Sequence, residues 1–147
     1  MKENLSVFRF NLGFEPAIIR SRQPLSLYEW HRVVLSRNRK EGNLTVDGEP
    51  PVTGISKGSS TGLNLNQDLH VGGVLDFSSI SSLAGFKSGF ICCLSYLAID
   101  GKVVNLGKNI IVSFTFHYKI VGIKNRDLKN TKTVTCIVSF DYFEKFS

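Results

Sequence analysis

Residues 27–48 place two strands and two turns in one short stretch of chain. From Trp30 to Ser36, His31, Val33 and Leu35 fall on one side, and Arg32, Val34 and Ser36 on the other. That two-residue period marks a strand with one buried face. Leu44 and Val46 alternate in the same way with Asn43, Thr45 and Asp47. Between the two runs, Arg37-Asn38-Arg39-Lys40-Glu41-Gly42 reads as a charged turn. Asp47-Gly48 reads as the next turn, because Asp-Gly tolerates the positive φ values of a tight hairpin. The single tryptophan, Trp30, opens the first strand. A hairpin with one apolar face needs a second layer to cover it.

The rest of the chain offers such layers and no convincing helix. Phe8, Phe10 and Leu12 alternate with Arg9 and Asn11, Gly13-Phe14-Glu15-Pro16 makes a turn, and Ala17-Ile18-Ile19-Arg20 reads as a short strand. Pro24 to Glu29 connect it to the hairpin, and Pro50 and Pro51 interrupt pairing after it. Residues 56–62 and 78–85 are Ser/Gly-rich loops, and Leu69-His70-Val71 precedes Gly72-Gly73. Residues 90–99 are apolar on both faces, as in an interior strand, and Asp100-Gly101 turns the chain into Val103-Val104. After Gly107 the character changes: residues 109–123 and 134–146 are apolar and aromatic, and 125–133 are polar and basic. Both apolar pieces read as strands. Many short strands separated by turn signals predict an all-β sandwich.

A length of 147 residues fits one domain, and 42% hydrophobic residues can supply its core. No apolar run approaches the roughly 20 residues that span a bilayer, so membrane insertion is not expected. The first residues carry no long apolar stretch of the signal-peptide type. The net charge of +6 favours acidic partners, with Arg20, Arg22, Arg32, Arg37, Arg39 and Lys40 concentrated in the first part. Aromatic residues do not interleave with these cations, so nucleic acid is not the expected partner. His31, His70 and His117 share no motif with Cys92, Cys93 and Cys136. Glu29, Asp47, Glu49 and Asp76 sit in turns, where carboxylates are ordinarily solvated. Gly58, Gly62, Gly72 and Gly73 lack the context of a phosphate loop. The chain is therefore not expected to be an enzyme. Asn64 and Asp68 are loop oxygen donors of the kind calcium takes. Asn4-Leu5-Ser6 and Asn43-Leu44-Thr45 are glycosylation sequons that matter only in a secreted glycoprotein.

Six blocks in order resemble the laminin G-like family, in the flavour of the perlecan and agrin group. They are Val7-Phe8-Arg9-Phe10-Asn11-Leu12-Gly13; Ala17-Ile18-Ile19-Arg20-Ser21 with Glu29-Trp30-His31-Arg32-Val33; Gly42-Asn43-Leu44-Thr45-Val46-Asp47-Gly48; Gly62-Leu63-Asn64-Leu65-Asn66 with Leu69-His70-Val71-Gly72-Gly73; Ser88-Gly89-Phe90-Ile91-Cys92-Cys93; and Leu97-Ala98-Ile99-Asp100-Gly101. The resemblance runs over about residues 5–106. It implies a concanavalin-like jelly-roll sandwich of two antiparallel sheets over residues 1–106, lacking its first strands, followed by an atypical tail over 107–147. It implies an extracellular-matrix binding module of the basement-membrane kind, working in cell adhesion. Its expected partners are heparan sulfate or heparin, dystroglycan-type glycans and integrin-type receptors.

The resemblance also implies site residues. Calcium in this family sits at the sandwich rim, where the carbonyls of Leu12 and Gly62 and the side chain of Asn64 correspond to ligands. The acidic ligand has no counterpart, so the set is incomplete and weak calcium binding is expected. Cys93 takes the position of the family's disulfide cysteine, and Cys136 is the candidate partner, although its surroundings do not follow the family. Within this reading Arg37, Arg39 and Lys40 form the expected glycan site, since a hairpin tip exposes them together. The alternative is a structural module without its own ligand, oligomerising through open sheet edges, with the phenylalanine-rich tail serving as a substitute strand.

Overall fold

The computed structural model describes residues 4–62, 69–71, 91–105, 110–111, 120–123 and 133–142. They form eleven strands, β1 (Val7–Phe10), β2 (Ala17–Arg20), β3 (Trp30–Asn38), β4 (Glu41–Val46), β5 (Val52–Ile55), β6 (Leu69–Val71), β7 (Ile91–Ile99), β8 (Lys102–Val103), β9 (Ile110–Ile111), β10 (Ile120–Ile123) and β11 (Thr133–Tyr142). No helix occurs among the described residues. Every ladder is antiparallel, in the orders β1-β2, β6-β10-β9 and β5-β4-β3-β11-β7-β8. The fold is the all-β sandwich of antiparallel sheets that the sequence predicts.

The hairpin follows its alternation. His31 and Val33 are buried on the inward face of β3, and Leu44 and Val46 on that of β4. The turn is tighter than expected. Pairing continues to Arg37↔Gly42 and Asn38↔Glu41, which leaves Arg39 and Lys40 alone at the tip rather than a six-residue turn. Charged residues at a strand end keep their side chains in water while the backbone goes on pairing, so charge alone does not end a ladder.

The second layer is the β1–β2 ladder, in register Val7↔Arg20 to Phe10↔Ala17. Phe10, Leu12, Ala17, Ile19 and Leu25 pack from this side against Val33, Leu44 and Val46, with Phe8, Leu35, Val52 and Leu94 around them. Ile19 and Leu44 are almost wholly excluded from solvent, and each such side chain contributes about 1.5–3 kcal/mol. The layers approach closely because Gly42 and Gly54 are register partners with no side chains. A Cβ on Gly42 would run into the Phe10 ring, and one on Gly54 would lie 2.6 Å from Ile19 Cγ1.

The tail is part of the main sheet. β11 lies between β3 and β7, pairing Cys136 with Val33 on one side and with Leu97 on the other. Its start is held by Asp100, the first residue of the Asp-Gly turn after β7. Asp100 N–H donates to the Thr133 carbonyl (2.8 Å), and Thr133 N–H donates to Asp100 Oδ1 (2.7 Å). Asp47 repeats the device at the other Asp-Gly turn. Its N–H donates to the Arg32 carbonyl (2.9 Å) and its Oδ1 accepts from Arg32 N–H (2.8 Å). Both aspartates have positive φ, 50° and 48°, followed by Gly48 and Gly101 at 77° and 78°, the two-residue hairpin conformation. Each side-chain oxygen extends a ladder by one bond beyond the last strand pair.

A chain stopped after residue 106 loses the strand between β3 and β7. It is expected to lose the cooperative thermal transition and near-ultraviolet circular dichroism of the full chain, because both flanking strands are left with bare edges. A truncated chain that melts sharply near the full-length temperature would contradict this topology.

Candidate functional site

Three chain reversals meet at one end of the sandwich: residues 11–16 between β1 and β2, the Arg39-Lys40 tip, and residues 56–62 after β5. Ser56 joins them. It is 1% exposed; its N–H donates to the Lys40 carbonyl (2.9 Å) and its hydroxyl to the Glu15 carbonyl (2.9 Å). A buried hydroxyl and amide with both partners in place fix the loops at little cost. Glu15 and Lys57 also bridge through the backbone, and their side chains form an exposed ion pair at 2.8 Å. Asn11 Oδ1 accepts from Gly13 N–H (2.9 Å) and closes the first reversal.

The structure brings Arg37, Arg39 and Lys40 together at this rim. Arg37 Nη1 donates to the Arg39 carbonyl at 2.7 Å and makes a longer contact, 3.4 Å, to the Thr61 carbonyl of the third reversal. Arg37 is thus half-buried and held by backbone, while Arg39 is exposed. Arg39 has φ 53°, a left-handed conformation that favours glycine. Of the carboxylates at this end, Glu15 is engaged by Lys57 and Glu41 lies 3.5 Å from the Asn43 amide. No ion pair is formed by Arg37, Arg39 or Lys40 among the described residues.

Two of the three positions expected to hold calcium fall within the described residues. Leu12 and Gly62 lie at the rim reversals, and Asn64 lies outside the described residues. The Gly62 carbonyl accepts from the Ser60 hydroxyl at 3.4 Å, and the neighbouring Thr61 carbonyl faces the Arg37 guanidinium. Calcium needs several oxygens at once, carboxylates among them. The described residues contain no group of three or more His, Cys, Asp or Glu side chains able to hold a metal. The Arg37 guanidinium places a positive charge beside the Thr61–Gly62 peptide.

The opposite end of the hairpin carries a residue that the turn reading missed. Asp47, expected to be an ordinary solvated turn carboxylate, binds the buried His31: Oδ2 lies 2.7 Å from Nδ1. His31 Nε2 lies 3.0 Å from the Ser26 carbonyl. Both ring nitrogens face acceptors, and a neutral imidazole has only one N–H to give. The geometry therefore calls for the doubly protonated ring. Burial alone pushes the His31 pKa down, but the Asp47 hydrogen bond, the Ser26 carbonyl and the charges of Asp47 and Glu29 together raise it above its ordinary 6.5. The signal was present in the sequence. An inward-facing histidine stands one residue from the strand position that pairs beside Asp47.

The cysteines do not come together. Cys136 is opposite Leu97, whereas Cys93 is opposite Ser139. Four residues of strand, about 13 Å, separate Cys93 from the position facing Cys136, far beyond the roughly 7 Å limit for a disulfide. Cys93 is exposed. Of the other histidines, His70 pairs through its backbone with Gly122, and His117 lies outside the described residues. The sequon residue Asn43 accepts from the Thr53 hydroxyl (2.6 Å) across β4 and β5.

Comparison with known proteins agrees with this architecture. The model of the laminin G domain family matches residues 1–102. The basement membrane-specific heparan sulfate proteoglycan core protein of Mus musculus is 40% identical over 99 residues, which are 67% of this chain and 3% of that protein. Pikachurin of Bos taurus and of Homo sapiens are each 29% identical over 99 residues, 67% of this chain and 10% of each protein. The chain thus spans a tenth or less of the length of these relatives. No solved structure gives a significant match.

Two outcomes follow from the geometry of the hairpin. Because the His31 pKa is raised on folding, its contribution is fully present below about pH 6.5 and is lost as pH rises through the folded-state value. The urea midpoint should therefore fall between about pH 6 and pH 9. Asp47→Asn should flatten that slope and bring the imidazole titration, followed by NMR, to lower pH. At the other end, Arg39→Gly should relieve the left-handed backbone and raise stability by about 0.5–1 kcal/mol in urea denaturation, net of the added freedom of the unfolded chain.

Proposed function

The chain belongs to the laminin G domain family, and on that premise we propose that it is a non-enzymatic, extracellular-matrix-type module that binds acidic or sulfated glycans at the rim. The observation that carries this reading is the convergence of Arg37, Arg39 and Lys40 on one edge without ion-pair partners among the described residues. Uncompensated cations on a fixed backbone frame suit a polyanion, whose sulfate and carboxylate groups accept charge-assisted hydrogen bonds. Heparan sulfate or heparin is the leading ligand. Dystroglycan-type glycans present the same carboxylate chemistry, and an integrin-type receptor would have to bring an acidic loop.

The Arg37 guanidinium supplies direction and the other two side chains supply field. With Arg37 Nη1 turned to backbone carbonyls, the fork opposite it stays oriented before any ligand arrives, which lowers the ordering cost of binding. Arg39 and Lys40 add longer-range attraction that falls with salt.

Heparin-affinity chromatography tests the reading. The triple variant Arg37→Ala, Arg39→Ala, Lys40→Ala should elute at clearly lower salt than the unaltered chain. Three charge contacts of up to about 1 kcal/mol each correspond to roughly 10- to 100-fold weaker binding at low ionic strength. An unchanged elution position would remove this site.

A further inference from the structure

Resting on the glycan-binding reading, we infer that Arg37 is the fixed cation of the rim, so that the site takes a sulfate or carboxylate group without calcium. The family resemblance implies a calcium ion held near Leu12, Gly62 and Asn64, and the residues present do not fit one. The place beside the Gly62 peptide is taken up instead. Arg37 Nη1 reaches the Thr61 carbonyl at 3.4 Å and the Arg39 carbonyl at 2.7 Å, so one guanidinium ties the hairpin tip to the third reversal. This is the bridging task a metal ion performs when it gathers carbonyls from separate loops.

The guanidinium can do more than bridge. It has five N–H groups in a plane. Two are directed at the Arg39 and Thr61 carbonyls, and the Nε and Nη2 groups have no partner among the described residues. The Nε–H and the adjacent Nη2–H form one edge, whose two parallel N–H groups match two oxygens of a sulfate or carboxylate, and lysine cannot reproduce that fork. The surrounding charge agrees. Lys57 already neutralises Glu15, which leaves Glu41 at the hairpin tip as the rim carboxylate without a salt bridge among the described residues. A bound calcium ion would also sit against a permanent positive charge, because arginine does not deprotonate in proteins.

The test uses the full chain and two independent readouts. In the first, calcium is titrated by calorimetry. A dissociation constant weaker than about 1 mM, the weak end for extracellular calcium modules, is expected, and tighter binding overturns the inference. In the second, heparin affinity is measured in calcium and in an equal concentration of magnesium with a calcium chelator. The two values should agree within about threefold, because the attraction comes from fixed side-chain charge; a larger loss without calcium overturns the inference. Arg37→Gln should weaken heparin binding about fivefold and Arg39→Gln less, since only Arg37 is preorganised. The reverse order overturns it. Arg37→Lys keeps the charge, and should recover part of the loss and not all of it. If the chain binds heparin in neither buffer, the glycan reading falls, and the calcium titration alone still decides whether the rim is a metal site.

Discussion

Strand β3 has two hydrogen-bonding edges, and both are filled: β4 pairs along one and β11 along the other. This pairing governs the rest of the molecule. It makes one surface from segments about a hundred residues apart in the chain, and onto that surface the β1–β2 layer can pack. Aspartates at two Asp-Gly turns set the limits of the ladders, each donating from its N–H and accepting at a side-chain oxygen. A one-residue slip would carry His31 and Val33 to the outer face. Asp47, by holding both the Arg32 backbone and the His31 ring, works against that slip.

The rim follows from the same frame. Because β3 and β4 pair as far as Asn38↔Glu41, the tip is short and Arg39 and Lys40 directly follow the last paired residue. Because Gly42 and Gly54 let the second layer come close, the reversal at residues 11–16 lies within reach of Ser56 and Lys57. Charge then collects where three reversals are clamped. The left-handed Arg39 stands where glycine would cost less backbone energy.

Much of this was legible in residue patterns. The bounds of β2, the inward faces of β3 and β4, and both Asp-Gly turns follow from alternation and turn chemistry, which are local properties. The partners of β11 were not legible. Strand pairing across a long loop leaves no local mark, and Val, Ile and Phe fit any buried ladder. The closeness of Gly42 to Phe10 was hidden for a related reason: a glycine in a strand marks a close approach without naming what approaches. At the rim, the sequence placed Arg37, Arg39 and Lys40 together. It did not reveal that Arg37 turns back to the loop that was expected to contribute to a metal site. The Cys93–Cys136 pairing came from family position alone, and strand register separates the two.

The central claim is that the tail strand β11 is an interior strand of the main sheet, and amide hydrogen exchange of the intact chain tests it most directly. Amides of residues 134–139 that bond to β3 or β7 should exchange with the slowest class, together with those of β3 between Arg32 and Arg37. The exposed loop at residues 57–61 should exchange fast. Fast exchange throughout 134–139 beside a protected β3 would contradict the topology, and with it the frame on which the rim is built.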